Sequence, residues 1–265
     1  MMTAYRYRVE CLTNLHVGSG ETTYSIIDNE VARDPVLDNV PIIPASGVKG
    51  ALRVHCKANG MSEQALTHIF GHEISTDVKR DDISAGQYKF FSAQLLARPL
   101  RVSSGSVSYV LTTTPEILCA ADTLAKGVKL TADTLADALP PVGNEPWVTE
   151  PAAQKVKEVE GVSVTGFGAP NQALQELLGG AEYAMVASFR DFALPVVARN
   201  QLNEGISKNL WYEEIVPYKS IFTLVILVPE GDPHFADFET CLQEHPVQFG
   251  GNASVGYGYT KLKRG

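Results

Sequence analysis

Lys49 and Arg53 stand four residues apart in the run Pro44-Ala45-Ser46-Gly47-Val48-Lys49-Gly50-Ala51-Leu52-Arg53. On a helix that spacing puts both cations on one face. Ser46 is placed to cap the helix, its hydroxyl accepting an otherwise unpaired backbone N–H. Free N–H groups beside two cations suit an anionic phosphate. Upstream, His16-Val17-Gly18-Ser19-Gly20 forms a small glycine-rich turn, and Asp28 is an acid in the polar loop after Ile26-Ile27. No Gly-Lys-Ser/Thr follows the turn, so it is not a nucleotide P-loop. Each part alone has an ordinary reading: a tight turn, a loop carboxylate, a solvated helix face. Their order carries the specificity. His68, His72 and Glu73 have the residue types of a metal site, but Gly71 breaks the helix between the histidines. With no further ligand evident, they read as exposed residues at a helix end.

The elements that must hold these residues follow from periodicity. Tyr5, Tyr7, Val9 and Cys11 alternate with Arg6, Arg8 and Glu10, the pattern of a half-buried strand. The helix from Ser46 turns Val48, Ala51 and Leu52 inward and stops at Asn59-Gly60. A second short helix ends at Phe70-Gly71. Strands are expected at 88–91 and 106–110, joined through Arg98-Pro99-Leu100-Arg101, and Thr114-Pro115 opens a helix with proline at its first position, running to Gly127. Residues 116–181 read as a partly helical insertion, with Asn171 capping a short helix. Two extended arms about Asn203-Glu204-Gly205-Ile206-Ser207-Lys208-Asn209 predict a long hairpin at 195–217. Ser220–Val228 is nearly all apolar, as a central strand is. A helix carrying Phe235, Phe238, Cys241 and Leu242 follows, then the glycine-rich stretch 249–259. The sum is an α+β chain, a single domain over 1–265. Its core is a ferredoxin- or RRM-like βαββ…βαβ plan formed by 1–115 and 182–265.

Three separated motifs together resemble the RAMP superfamily of CRISPR-associated proteins. The first is His16–Gly20, the Asp28 loop and the proline-framed Pro44–Arg53. The second is Val197–Gln201 with Leu210-Trp211-Tyr212-Glu213-Glu214-Ile215-Val216-Pro217. The third is Gly250-Gly251 with Gly256 and Gly258. The match is nearest to the repeated backbone subunit of the type III-B (Cmr) effector, with 195–217 as its thumb hairpin. That resemblance implies a RAMP fold and a complex in which many copies line a guide RNA and cut paired target RNA at regular intervals. It implies a divalent metal, magnesium or manganese, and 5′-hydroxyl products, so the target's own 2′-OH attacks the phosphate. Asp28 falls at the family's catalytic aspartate, as metal ligand or proton acceptor. His16 matches a histidine beside the cut, and Glu213 or Glu214 a thumb-base carboxylate, with Glu214 assigned as catalytic. RNA contacts are implied for Ser46, Lys49, Arg53, Gly18, Gly20, Arg199, Trp211, Gly250, Gly251, Gly256 and Gly258. The implied partners are guide RNA, single-stranded target RNA, further copies in a head-to-tail filament and other Cmr-type subunits.

Composition constrains this reading. Net charge is −8, which argues against free, non-specific nucleic-acid binding; a locally basic groove or partner subunits must supply the attraction. Four dispersed cysteines without a Cys-x-x-Cys fit reduced thiols in a cytoplasm. No apolar run reaches membrane-spanning length, so no membrane partner is expected. Two rivals remain open: a non-catalytic guide-binding scaffold, against which Asp28 counts, and a metal-independent guide-precursor endonuclease, against which the hairpin motif and the insertion count.

Overall fold

The structure, a computed structural model, describes residues 1–20, 26–72, 84–104, 108–130, 135, 148–149, 154–155, 172–181, 183–186, 188–190 and 192–265. The first half runs β1 (Met2–Cys11), β2 (Ile42–Ile43), α1 (Ala45–Ala58), α2 (Glu63–Phe70), β3 (Lys89–Phe90), β4 (Ala93–Ser104), β5 (Tyr109–Thr113) and α3 (Pro115–Gly127). Then come β6 (Val148–Thr149), β7 (Gln154–Lys155), α4 (Gln172–Leu177), β8 (Tyr183–Met185), β9 (Val196–Asn203) and β10 (Ile206–Glu214). The chain closes with β11 (Ile221–Pro229), α5 (Phe235–Glu244), β12 (Val247–Gln248) and β13 (Tyr259–Arg264).

The heart of the sheet is the antiparallel order β13-β1-β11-β4. Two strand–helix–strand units, β1-α1-β4 and β11-α5-β13, interleave so that each unit's strands are split by a strand of the other. This is the ferredoxin-like plan that periodicity predicts. β11 is central because its run Ile221–Val228 is buried on both faces, and nine residues of β1 pair with it from Met2–Pro229 to Glu10–Ile221. On one face, Tyr7, Val9 and Cys11 meet Val48, Leu52 and Cys56 of α1 and Phe238 and Leu242 of α5. Phe70 stacks on Phe90 at 5.2 Å, closing the layer where α2 ends. Beyond β4 the sheet continues through β5 to β8, which lies parallel to it.

Several expected local features change. α1 begins at Ala45 with Pro44 at the cap position and no side-chain cap, so Ser46 lies inside the first turn. Ser92, at the start of β4, supplies the missing hydroxyl and accepts Ala45 N–H at 3.1 Å. Arg98–Arg101 is not a connection but the middle of β4, pairing with Tyr109–Thr112 of β5. Pro99 is tolerated there, and β5 runs over 109–113; residues 106 and 107 of the strand expected at 106–110 lie outside the described residues. The 203–209 turn shrinks to Glu204-Gly205, both at positive φ (51° and 81°), the two-residue geometry that matches strand twist. His68 is no solvated helix end: its Nε2 meets the buried Asp232 carboxylate at 2.6 Å. α3 starts at Pro115, capped by Thr114, and ends at Gly127, as expected. Asn171 and most of the 116–181 insertion lie outside the described residues. Among those described, no helix is long and apolar enough to cross a membrane.

Candidate functional site

Among the described strands, β9 and β10 pair with each other and with no other strand, and most of the hairpin is solvent-exposed. A free two-stranded hairpin is marginal in water, so its anchorage decides where it points. Trp211 and Glu213 lie on one face of β10 and Tyr212 and Glu214 on the other, because side chains alternate along a strand. The two neighbouring carboxylates therefore enter different networks.

Glu213 is buried. Its Oε2 accepts from Arg199 Nε at 2.6 Å and Asn252 Nδ2 at 3.0 Å, and its Oε1 from Trp211 Nε1 at 2.9 Å. Burial is the largest influence on this carboxyl and would raise its pKa. The Trp211 hydrogen bond, with the charge and hydrogen bond of Arg199, outweighs it and holds the group below the usual carboxylate range. The Arg199 guanidinium also lies over the Tyr257 ring at 4.6 Å. Both Asn252 and Tyr257 belong to the C-terminal glycine-rich loop. That loop is thus fastened to the hairpin base.

Glu214 faces the other way. Its carboxylate pairs with Arg33 and accepts Val31 N–H at 3.2 Å. Arg33 also donates to Asn39 O at 2.8 Å. Beneath this pair lies a cleft of about 370 Å³ that includes Arg98 and Asp38. Burial, helped by the nearby Arg33 charge, pushes the Arg98 guanidinium down to about 10.

The Asp28 loop docks along the base of β10. Asp28 N–H and Asn29 N–H both donate to Tyr212 O at 3.1 Å, and Glu214 N–H donates to Asn29 O at 2.9 Å. Asn29 and Glu213 form a parallel bridge. Tyr212 N–H closes the contact on Asp28 Oδ2 at 2.8 Å. Asp28 itself stays exposed. The acid is held through its backbone N–H and its Oδ2, and the residue remains open to solvent.

His16 reaches the same place from β1. Leu15 and Val216 exchange both backbone bonds, at 2.9 and 2.8 Å. His16 Nδ1 then lies 2.7 Å from Glu214 O. A carbonyl only accepts, so Nδ1 donates, and Nε2 is the ring nitrogen left to face the site. Gly18 packs on that nitrogen: a Cβ there would sit 3.4 Å from Nε2. His16 O accepts Gly251 N–H at 2.9 Å. Gly250, at φ 75°, leaves no room for a side chain, since a Cβ would overlap the His16 carbonyl; Gly258, at φ 81°, is bound the same way against Phe249 O. Gly20 and Gly256 are also at positive φ but face open space.

The hairpin base thus gathers His16, Asp28, Glu213, Glu214, Arg199, Trp211 and the 250–258 loop. The α1 residues sit apart from these contacts. Ser46, Gly47, Lys49 and Gly50 are exposed on its first turns. Arg53 is half-buried and donates to the carbonyl of Gly71, tying α1 to the end of α2. Sequence reasoning missed Arg33, Asn252 and Ser92 entirely, and nothing in their local spacing signals them. Among the described residues, no cluster of three or more His, Cys, Asp or Glu could hold a metal. A single exposed carboxylate fits a hard cation that takes its remaining ligands from phosphate and water.

A family model described as the RAMP superfamily matches residues 8–261. A Pyrococcus furiosus protein named CRISPR system Cmr endoribonuclease Cmr4 is 27% identical, the match covering 98% of this chain and 95% of that protein. Among solved structures, a cryo-EM structure of the type III-B Cmr-beta bound to cognate target RNA is similar with TM-score 0.73 at 19% identity, covering 99% of this chain and 97% of that one. A crystal structure of oligomeric Cmr4 from Pyrococcus furiosus is similar with TM-score 0.64 at 21% identity, covering 98% of each chain.

Proposed function

The chain belongs to the RAMP superfamily, and on that premise we propose that it is a repeated backbone subunit of a type III-B CRISPR effector complex. It holds guide RNA, assembles with further copies and other Cmr-type subunits in a cytoplasmic particle, and cleaves paired target RNA. The likeness to a protein named as the Cmr endoribonuclease supports this over 98% of the chain. One observation carries it: Asp28 is exposed, yet its loop is bonded to the base of a free-standing hairpin next to His16. These contacts fix the acid in place while leaving the residue open to solvent, as a group that is to meet RNA must be.

The reaction is transesterification. The 2′-oxygen bonds to the adjacent phosphorus, the bond from phosphorus to the 5′-oxygen breaks, and a 2′,3′-cyclic phosphate and a 5′-hydroxyl result. One proton must leave the 2′-OH and one must reach the departing 5′-oxygen. Asp28 offers an exposed carboxylate for the first transfer or for a magnesium ion. When bound, that ion supplies charge neutralisation at the phosphate. His16 keeps Nε2 toward the site through its Nδ1 bond to Glu214 O, and in the neutral ring that nitrogen can take a proton. Glu213 and Glu214 are both occupied by arginines and act on the site by positioning it. The hairpin, fixed at its base, displaces the target strand, and Lys49 binds guide phosphate.

The test uses a reconstituted guide-loaded complex with magnesium and labelled target. Asp28→Asn keeps an oxygen for Tyr212 N–H and should lose cleavage while retaining guide loading and target binding. A 2′-deoxy sugar at the cut should block the wild type. Equal cleavage by Asp28→Asn and wild type would leave a non-catalytic scaffold.

A further inference from the structure

Beyond the hairpin base lies a second polar surface that the reading above does not use. Tyr109, at the start of β5, and Tyr218, just after β10, are 37% and 52% exposed. Lys219 lies between them. Its Nζ sits 4.3 Å from the Tyr109 ring centre and 5.7 Å from that of Tyr218, and it donates to the Tyr109 hydroxyl. Lys219 takes φ 68°, an uncommon conformation for a residue with a side chain, and its N–H is tied to Cys11 O at 2.7 Å. The backbone is thus held in a disfavoured form that sets an ammonium between two exposed rings. Arg101 is the cross-strand partner of Tyr109, so it shares that face. The acid interacting with Lys219 is Glu10, itself paired with Arg8. In a chain of net charge −8, the described residues named here are three cations, Lys219, Arg101 and Arg8, and one acid, Glu10.

This surface joins the candidate site through one residue. Asn14 Oδ1 accepts Tyr218 N–H at 3.0 Å, and Asn14 O accepts Gly258 N–H at 2.8 Å. Two residues on is His16. Asn14 thus ties the Tyr218–Lys219 segment to the glycine-rich loop that packs on His16.

Resting on the reading of this chain as an RNA-binding subunit, we propose that Tyr218, Lys219 and Tyr109 form a stacking shelf for single-stranded RNA that continues from the cleavage site. A base stacks on Tyr218 and its phosphate meets the Lys219 ammonium, and Tyr109 orients that ammonium. Exposed rings interleaved with a cation favour nucleic acid, because every base offers a π-face and every linkage a charge. A protein partner would be recognised instead by a continuous apolar face, which these residues do not form.

The test measures binding of a fluorescent, unpaired oligouridylate to the guide-loaded complex, with particle size followed by light scattering. Tyr218→Ala should weaken binding about tenfold, the scale of losing one base–aromatic stack, and Tyr218→Phe should restore it. Lys219→Ala should lower the slope of log K against log salt by about 0.7, one contact on a single strand. Wild-type affinity and slope in both alanine variants would overturn the shelf. So would unchanged RNA affinity with a smaller particle, which would mark a protein contact. A guide-loaded wild type that binds no oligouridylate would also overturn the shelf, whereas a wild-type chain that loads no guide RNA would overturn the functional reading itself.

Discussion

Glu213→Gln isolates what the hairpin anchorage contributes. Glutamine keeps the shape but only one oxygen. With that oxygen at the Oε2 position, the bonds from Arg199 and Asn252 survive as bonds to a neutral acceptor, and the new amide N–H₂ faces the Trp211 N–H. A buried donor left unpaired costs about 1–3 kcal/mol, and a bond to a charged group contributes about 1 kcal/mol more than a neutral one. The sum is about 3 kcal/mol, a factor of roughly 100 in an equilibrium constant. Because β9 and β10 pair with no other strand among the described residues, the loss should appear as local opening and not as global unfolding. Native-state hydrogen exchange should show amides of 197–212 exchanging roughly 100-fold faster while those of β1 and β11 keep their protection. Target cleavage should fall as well, because Tyr212 N–H would no longer hold Asp28 in place. Unchanged exchange in the hairpin would refute the anchorage, and an equal rise in β11 would show that Glu213 supports the whole fold.

Three further outcomes follow from particular contacts. Lys49→Ala should lower the salt slope of guide binding by close to one unit without altering the urea midpoint. Arg53→Ala should instead cost about 1–3 kcal/mol in the same denaturation, because it strips a charged donor from the Gly71 carbonyl. Gly250→Ala should prevent stable folding, seen as loss of the thermal transition, since its Cβ would overlap the His16 carbonyl; Gly256→Ala should cost about 1 kcal/mol from its positive φ alone. Because the Glu213 pKa is depressed, its stabilisation is complete above the unfolded carboxylate value and is lost as pH falls through the folded one. Hairpin protection should therefore hold from neutral pH to about pH 5 and fall below about pH 4, read by exchange corrected for intrinsic rates.

The sheet was legible because its signals are local. The apolar run of β11, the alternation of β1 and the proline start of α3 each fall within a few residues of chain. Of the glycines singled out in the sequence, Gly250 and Gly258 are required because they admit the chain's own carbonyls, whereas Gly20 and Gly256 face open space. What stayed hidden is long-range. Arg33 meets Glu214 across 181 positions and Asn252 meets Glu213 across 39, and no periodicity records such pairings. The Ser46 cap misled because Ser92, 47 positions from Ala45, takes the N–H that a local hydroxyl usually does. Arg98–Arg101 misled because proline and charge read as a connection, yet Arg98 is buried against the Phe189 ring at 4.5 Å, with its guanidinium on the Phe192 carbonyl. A strand can bury an arginine when the partner is a carbonyl supplied from elsewhere.

The anchoring pairs also bear on the proposed function, in which an acidic chain holds RNA. Three carboxylates meet at the hairpin base, where a phosphate backbone would otherwise be repelled. Glu213 is neutralised by Arg199 and Glu214 by Arg33, both inside the protein. Of the three, Asp28 alone is exposed. Burying a carboxylate is costly unless it is paired and hydrogen-bonded, and here each buried one is both. Removing Arg33 or Arg199 would therefore do more than loosen a contact. It would leave an uncompensated charge at the proposed RNA site, so on the proposed function either loss should weaken target binding beyond the structural effect. The excess should shrink at high salt, because screening reaches a charge near the surface.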